Sequence, residues 1–230
     1  MLCVTYTPFM QTDPQEDYAR GWVPFLDCRI YLDSRPLIPR LETEYWVEEA
    51  IQECSANSGQ GSAMKCLDLF AGSGAIGVAV LKHLPGSRVD FGEIDTEHFP
   101  TIKKNITENG VDETRARIIE TDVWSMIPDR YDYVFANPPY LDESRRARIQ
   151  DSVLAHEPAS ALFAEEGGFS LIRRTMEGLR EHLLPGGILY IEHDPEQTSL
   201  LASLATSFGL VAETRTDQFG LDRFTVISVA

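Results

Sequence analysis

The sequence predicts an α/β fold, a doubly wound, mostly parallel sheet of seven strands with an antiparallel last strand pair. From residue 64 onward, short apolar runs alternate with segments of helical apolar spacing, as in parallel-sheet proteins. A glycine-rich turn, AGSG, follows the first of these runs. The last two runs lie too close in sequence for a crossover helix, so they should pair antiparallel. At 230 residues the chain can bury a large core.

Seven apolar runs supply the predicted strands, and each of them contains a β-branched or aromatic residue. The first run ends at the glycine-rich turn, and the fourth ends at two consecutive prolines. The complete set is Met64–Phe70, Arg88–Ile94, Ala116–Glu120, Tyr131–Ala136, Ile188–His193, Leu210–Thr214 and Phe224–Val229.

Helical spacing between the runs predicts the crossover helices. The Thr96–Asn109 segment is closed by Gly110, and its Pro100 is compatible with a helix only in the first turn. The other predicted helices are Leu41–Glu53, Ala75–Leu84, Gly168–Leu184 and Glu196–Phe208.

Composition and apolar periodicity divide the chain into a leading segment, residues 1–45, and a main domain, residues 46–230. The leading segment is rich in proline and has little periodicity. It predicts one possible β-hairpin, with strands Arg29–Leu32 and Arg35–Ile38, before the first long helix. Residues 141–167 form a long connection for a compact sheet, which is typical of a lid or a substrate loop.

Composition excludes several classes of function. The net charge is −16 with only four lysines, which disfavours binding of nucleic-acid backbones. The single basic stretch, Arg145-Arg146-Ala-Arg148, is interpreted as a solvated arginine face. No apolar run is long enough to cross a membrane and no secretory signal is evident, so a cytoplasmic protein is expected. The four cysteines lack metal-ligand spacing, so no metal site is expected.

The glycine-rich turn predicts a nucleoside site. Gly72, Gly74 and Gly77 have GxGxxG spacing between a strand and a helix, which lets the backbone approach a ligand closely. Glu93, at the end of the next strand, can accept hydrogen bonds from both ribose hydroxyls, and Asp95 is an alternative for that role.

Two aspartates near this turn each have two interpretations. Asp68 could hold a cationic amine or cap a helix, and Asp122 could contact an adenine edge or serve as a helix N-cap. The full predicted cofactor set is Asp68, Phe70, Ala71, Gly72, Gly74, Glu93, Ile94, Asp122, Val123 and Asn137.

The corner Asn137-Pro138-Pro139-Tyr140 follows the fourth strand at the edge where doubly wound sheets bind ligands. The Asn137 side-chain oxygen and the Pro138 carbonyl are two acceptors that proline rigidity holds at a fixed separation. Two such acceptors suit a planar NH2 group, and Tyr140 offers a flat face against an amide or a base. Accepting both hydrogens favours charge on the nitrogen during attack on a methyl group. An ordinary turn is the alternative.

Several stretches together resemble one family. They are Leu37-Ile-Pro-Arg-Leu-Glu-Thr-Glu44, Asp68 to Gly77, Asn137 to Tyr140, Glu157-Pro-Ala-Ser-Ala-Leu162, and Gly186 to His193 followed by Gln197. With them the chain resembles class I, Rossmann-like S-adenosylmethionine-dependent methyltransferases, and most closely the release-factor glutamine methyltransferases.

This resemblance implies roles for the predicted residues. The glycine turn and Asp68 would hold the methionine part of S-adenosylmethionine, Glu93 its ribose and Asp122 its adenine. The corner would grip a glutamine amide in the Gly-Gly-Gln motif of a peptide-chain release factor. The implied catalytic residues are Asn137, Pro138 and Tyr140, and the implied substrate-binding residues are these three with Pro139 and Glu157.

Three alternatives remain open from the sequence. The glycine turn also resembles that of RNA guanine methyltransferases, so the acceptor could be an exocyclic amine of adenine or guanine in RNA or DNA. A nicotinamide dehydrogenase would share the glycine turn but has no use for the Asn137 corner. A non-catalytic binding module would not need the intact set of acidic residues and glycines.

Overall fold

The computed structural model of the protein describes residues 13–57 and 63–229, and the first twelve residues of the leading segment lie outside this range. One seven-stranded sheet dominates, in the order β10-β11-β9-β6-β3-β4-β5. Its strands are β3 (Met64–Leu69), β4 (Ser87–Glu93), β5 (Ala116–Glu120), β6 (Tyr131–Ala136), β9 (Leu183–Glu192), β10 (Leu210–Thr216) and β11 (Asp222–Val229).

Strand direction agrees with the sequence-based prediction. All pairs from β5 across to β9 are parallel, whereas β11 runs antiparallel to both β9 and β10. The fold class is therefore confirmed, including the antiparallel last pair.

The helices lie on both faces of the sheet. They are α1 (Pro14–Arg20), α2 (Leu41–Asn57), α3 (Ala75–His83), α4 (Phe99–Glu108), α5 (Asp151–His156), α6 (Glu165–Gly168), α7 (Ser170–His182) and α8 (Thr198–Ser207). Pro100 occupies the first turn of α4, where its missing N–H costs no helical hydrogen bond. None of the helices in the described ranges is both long and apolar enough to span a membrane.

Alternation along the central strands builds two cores. Tyr133 and Phe135 of β6 face the core under α2, α3 and α4, while Val134 and Ala136 face the core under α7 and α8. This period of two is the normal consequence of a pleated strand covered on both faces. Helices thus cover both faces of the central strands, so a ligand reaches the sheet at the ends of its strands.

The leading segment differs from the prediction in its hairpin. Its strands are β1 (Trp22–Phe25) and β2 (Cys28–Tyr31), whereas residues 35–38 form no strand. The turn residues Leu26 and Asp27 both have positive φ, which suits a tight two-residue hairpin. The sequence analysis missed this turn because neither residue is glycine. Helix α2 crosses the predicted boundary at residue 45.

Two other boundaries also moved. Strand β9 begins at Leu183, within the predicted helix Gly168–Leu184, and includes Pro185-Gly186-Gly187 ahead of the predicted strand start at Ile188. The connection 141–167 contains short elements, among them a two-residue parallel pair of β7 (Leu141–Asp142) and β8 (Phe163–Ala164). This pair ties both ends of the connection together next to the Asn137 corner.

Candidate active site

The candidate site lies at the carboxyl edge of the sheet, where β3 and β6 are neighbours. From β3 the order runs to β4 and β5 on one side and to β6 and β9 on the other, so this is a topological switch point. Crevices at such points bind ligands in doubly wound sheets. The glycine turn follows β3, Glu93 ends β4, Asn137 follows β6 and Glu192 ends β9.

Glu93 fixes the glycine turn through its carboxylate. Its Oε2 accepts the Gly72 N–H at 2.7 Å and its Oε1 accepts the Asp95 N–H at 2.9 Å. A carboxylate offers about four acceptor sites, so each oxygen can accept one further hydrogen bond. Glu93 can therefore organise the turn and receive ligand hydroxyls at the same time.

Asp68 caps helix α3 through one of its carboxylate oxygens, and its role in holding a cationic amine stays a prediction. Its Oδ2 accepts the Gly77 N–H of α3 at 2.8 Å, whereas its Oδ1 is buried without a hydrogen-bond partner among the described residues. Burial raises the pKa of Asp68 well above its usual range, opposed by the bond from Gly77. Gly77 itself packs α3 against β4, since a Cβ there would lie 2.7 Å from Cζ of Phe91.

The other residues predicted to bind cofactor lie around the same edge. Ala71 and Gly74 are buried in the turn, and Ile94 is 63% exposed beyond β4. Phe70 and Val123 both have positive φ, at 67° and 54°. For a β-branched residue such as Val123 this conformation is strained, and strain of this kind is concentrated at functional sites.

Asp122 is exposed, and its Oδ2 pairs with Nη2 of Arg174 on α7 at 2.8 Å. No helix follows it, because residues 123–126 form a turn in which Ser125 Oγ accepts the Asp122 N–H. The helix N-cap interpretation of Asp122 is therefore wrong. Its carboxylate remains solvent-accessible at the end of β5.

The Asn137 corner is held by a hydrogen-bond network centred on Glu192. Oε2 of this buried carboxylate accepts from the Thr43 hydroxyl and from Trp46 Nε1, each at 2.7 Å. Its Oε1 accepts the Tyr140 hydroxyl at 2.9 Å. Thr43 Oγ1 in turn accepts from Nδ2 of Asn137 at 3.2 Å. The first turn of α2 and the end of β9 thus jointly support Asn137 and Tyr140.

The backbone of the corner is also constrained. Gln197 Nε2 donates to the Tyr140 carbonyl at 2.9 Å, and Pro138 is buried while Pro139 is half-buried. Gly168, with φ of +87°, lies directly against the Tyr140 carbonyl and leaves no room for a side chain. The corner therefore has little freedom to move relative to the sheet.

Glu157 joins the stretch 157–162 to the stretch 37–44, both of which contributed to the family resemblance. Its Oε1 pairs with Arg40 Nη2 at 2.6 Å, its Oε2 accepts the Ile38 N–H at 3.4 Å, and the residue is 6% exposed. Both oxygens are thus occupied by the leading segment. Glu157 thereby supports the loop that precedes Thr43, and its assignment to substrate binding stays a prediction.

Several residues of the site had no role assigned from sequence. The hydrogen-bond network gives roles to Thr43, Trp46, Glu192 and Gln197. Three of these residues, Thr43, Glu192 and Gln197, stand in or shortly after the stretches that carried the resemblance. His193, to which no role was assigned from sequence, is fully buried, with Nε2 bonded to Thr225 Oγ1 at 2.8 Å. Burial lowers its pKa.

The arginine stretch is neutralised by acidic partners. Arg145 and Arg148 pair with Glu196, and Arg146 pairs with Glu143. This supports its interpretation as a solvated face and leaves no cationic track beside the corner at these positions. Across residues 13–57 and 63–229, no His, Cys, Asp and Glu side chains cluster as metal ligands would.

Comparison with known proteins identifies a matching domain family and several related methyltransferases. The methyltransferase small domain family matches residues 55–183. Release factor glutamine methyltransferases of Lactococcus lactis and Streptococcus pneumoniae are 32% and 30% identical, over 79% and 91% of this chain. That of Bordetella pertussis is 32% identical over 90%. The chain spans 64%, 73% and 74% of the lengths of these three relatives.

Solved structures support the fold. A ribosomal protein L11 methylase of Lactobacillus delbrueckii has a TM-score of 0.61 at 15% identity, covering 86% of this chain and 82% of the other. The hMettl16 catalytic domain, solved with a 3'UTR hairpin, has a TM-score of 0.66 at 17% identity, covering 89% and 76%. One of these similar structures is named for a protein target and the other contains RNA, so the fold alone does not determine the substrate. By its sequence relatives, the chain belongs to the release factor glutamine methyltransferase family of class I methyltransferases.

Proposed function

We propose that the protein transfers the methyl group of S-adenosylmethionine to the side-chain amide nitrogen of a glutamine in a protein, the Gly-Gly-Gln glutamine of a peptide-chain release factor. The observation that carries the proposal is the orientation of Asn137. Its NH2 group is bound by Thr43, so its Oδ1 is the end available to a ligand. Together with the adjacent Pro138 carbonyl, it offers two acceptors to an incoming NH2 group.

The chemistry follows from these acceptors. An amide nitrogen is a weak nucleophile because its lone pair is delocalised into the carbonyl group. Two acceptors on its hydrogens stabilise the positive charge that develops as the new N–C bond forms and the S–C bond breaks. One proton then leaves the nitrogen to water. Tyr140, fixed by Glu192 and Gln197, would restrain the amide plane so that its nitrogen faces the methyl group.

The residues of the glycine turn fit the cofactor. Bound S-adenosylmethionine would supply an electrophilic methyl group on a sulfonium centre. The unpartnered Oδ1 of Asp68 provides a buried acceptor for its amino-acid end, and Glu93 keeps acceptor sites for its ribose. Ile94 and Asp122 stand at the adenine end in this proposal. None of these residues is needed to activate the amide.

The decisive experiment supplies radiolabelled S-adenosylmethionine to three acceptors in parallel: a release factor, the same factor with its Gly-Gly-Gln glutamine replaced, and total RNA with DNA. Label on the intact factor alone is expected. Label on nucleic acid instead would refute the proposal and favour methylation of an exocyclic base amine. Pairing of the arginine stretch with Glu143 and Glu196 supports the protein substrate over that alternative.

Substitution of the corner tests the mechanism. Asn137→Ala removes the acceptor and should lower kcat by about 100-fold, the usual effect of losing one charge-stabilising group. Cofactor affinity by calorimetry should change little. Asn109→Ala is the matched control, since the Asn109 side chain bonds to main-chain atoms of Arg29 and Asn105 within the described part of the chain and lies outside the corner. Undiminished turnover in Asn137→Ala would remove Asn137 from the reaction.

A further inference from the structure

We infer that Thr43 sets the hydrogen-bonding direction of Asn137 and thereby makes the site select an amide NH2 group over a carboxylate. The inference rests on the proposed function and assigns a specificity-determining role to a residue outside the corner. It follows from counting donors and acceptors along the chain of contacts from Glu192 to Asn137.

Glu192 is the acceptor at one end of this chain of hydrogen bonds. Its carboxylate is surrounded by three donor groups, the hydroxyls of Thr43 and Tyr140 and the indole N–H of Trp46. Trp46 can only donate, so the shared Oε2 must act as an acceptor. The single Thr43 proton is therefore directed to Glu192 at 2.7 Å.

With its proton committed, Thr43 can only accept from its other neighbour. That neighbour is the Asn137 side chain, whose two ends are alike in size but opposite in hydrogen bonding. Only the NH2 end satisfies an acceptor, so it turns to Thr43 and the oxygen turns away. Because Thr43 is 2% exposed, no solvent competes for this contact.

This direction has a consequence for specificity. A site made of Asn137 Oδ1 and the Pro138 carbonyl contains two acceptors, which pair with a glutamine NH2 group and repel the oxygens of a glutamate. If Asn137 turned over, its NH2 group would face the substrate, would oppose another NH2 group and would accommodate a carboxylate. Rejection of an analogue by leaving polar groups unpaired is a strong form of discrimination.

The test uses Thr43→Val, which keeps the branched shape but removes the hydroxyl. Turnover on the release factor should fall about tenfold, in keeping with loss of one hydrogen bond. A factor carrying Gly-Gly-Glu should compete better against Thr43→Val than against the wild-type enzyme. Thr43→Ser restores the hydroxyl and should restore both turnover and discrimination. Cofactor affinity should stay constant throughout, which separates this role from general damage to the site.

A second variant, Glu192→Gln, guards against a purely structural explanation. Its amide oxygen should remain towards Trp46 and Thr43, because Trp46 cannot accept, and its NH2 group should face the Tyr140 hydroxyl. Discrimination against Gly-Gly-Glu should therefore survive in Glu192→Gln, even if its rate falls. Loss of discrimination in Glu192→Gln, or its retention in Thr43→Val, would overturn the inference. Absence of label with wild-type enzyme would instead overturn the proposed function.

Discussion

Replacing Gly168 with alanine should displace the Asn137 corner without removing any side chain that is proposed to contact substrate. Gly168 has φ of +87°, and an added Cβ would lie 2.7 Å from the Tyr140 carbonyl carbon and 2.9 Å from the Leu141 carbonyl carbon. Real Cβ atoms stay beyond 3.0 Å, so the Tyr140 carbon must recede by at least 0.3 Å (3.0 minus 2.7). The Tyr140 oxygen is nearer still and must move further. These are backbone atoms, so no side-chain rotation relieves the overlap.

The expected effect on rate follows from that displacement. A misplacement of about 1 Å can cost about 100-fold in rate, so a shift of a few tenths of an ångström should cost about tenfold. Left-handed backbone alone costs an alanine about 1 to 2 kcal/mol, which must be separated from the rate effect. Gly110→Ala is the control, because Gly110 has φ of +68° with nothing within 4 Å of an added Cβ.

The assay measures single-turnover methyl transfer to the release factor, with unfolding midpoints in urea. Both variants should lose stability from the left-handed backbone, and Gly168→Ala should lose more because of its overlap with Tyr140, but only Gly168→Ala should lose rate. Equal rates for the two variants would refute the argument that Gly168 positions the corner.

Three further predictions concern the cofactor end and pH. Glu93→Ala should weaken S-adenosylmethionine binding about tenfold or more by calorimetry, because charged acceptors contribute about 1.5 to 3 kcal/mol; unchanged binding would move the ribose contact elsewhere. Asp68→Asn should raise the unfolding midpoint of the ligand-free protein, since a buried carboxylate with a raised pKa is removed, while lowering cofactor affinity. A lower midpoint would contradict the buried-charge argument. His193 has a pKa below its ordinary 6.5, so the unfolded chain takes up a proton that the folded protein does not. Stability should therefore fall as the pH drops below 6.5, and His193→Gln should flatten that part of the profile in urea unfolding; an unaltered profile would show that His193 does not contribute to it.

Much of the fold was accessible from sequence because it depends on local patterns. Alternating apolar runs and helical spacing are set by burial on both sheet faces, and Gly110 and Pro100 mark the limits of α4 through backbone chemistry alone. The errors arose where tertiary contacts decide. The Leu26-Asp27 turn adopts positive φ without glycine, and its Leu26 N–H is bound by Glu44 from another element.

In the candidate site, too, residues marked by local sequence patterns were predicted, whereas residues brought together by tertiary contacts were not. Asp68, Glu93 and Asn137 were found because each lies at or next to the carboxyl end of a strand at one edge of the sheet. Thr43 and Glu192 were not given roles, since they come together only when α2 packs beside β9, 149 residues apart in sequence. The burial of His193 could not be predicted because histidine alone carries no burial signal, and its Thr225 partner on β11 becomes a neighbour only in the folded sheet.

The side-chain pairs that link the leading segment to the site have a consequence for recombination between family members. Arg40–Glu157 and Thr43–Asn137 are matched pairs, each with one partner in the leading region and one beyond residue 130. By contrast, Asn105 on the intervening block bonds to main-chain atoms of Tyr31, which any residue supplies. A chimera that exchanges only the block between α2 and β6 therefore keeps both of these pairs within one parent, although it separates Lys104 from Asp33 and His98 from Ser34. A single crossover inside that block separates the partners, so the two flanks should be inherited together.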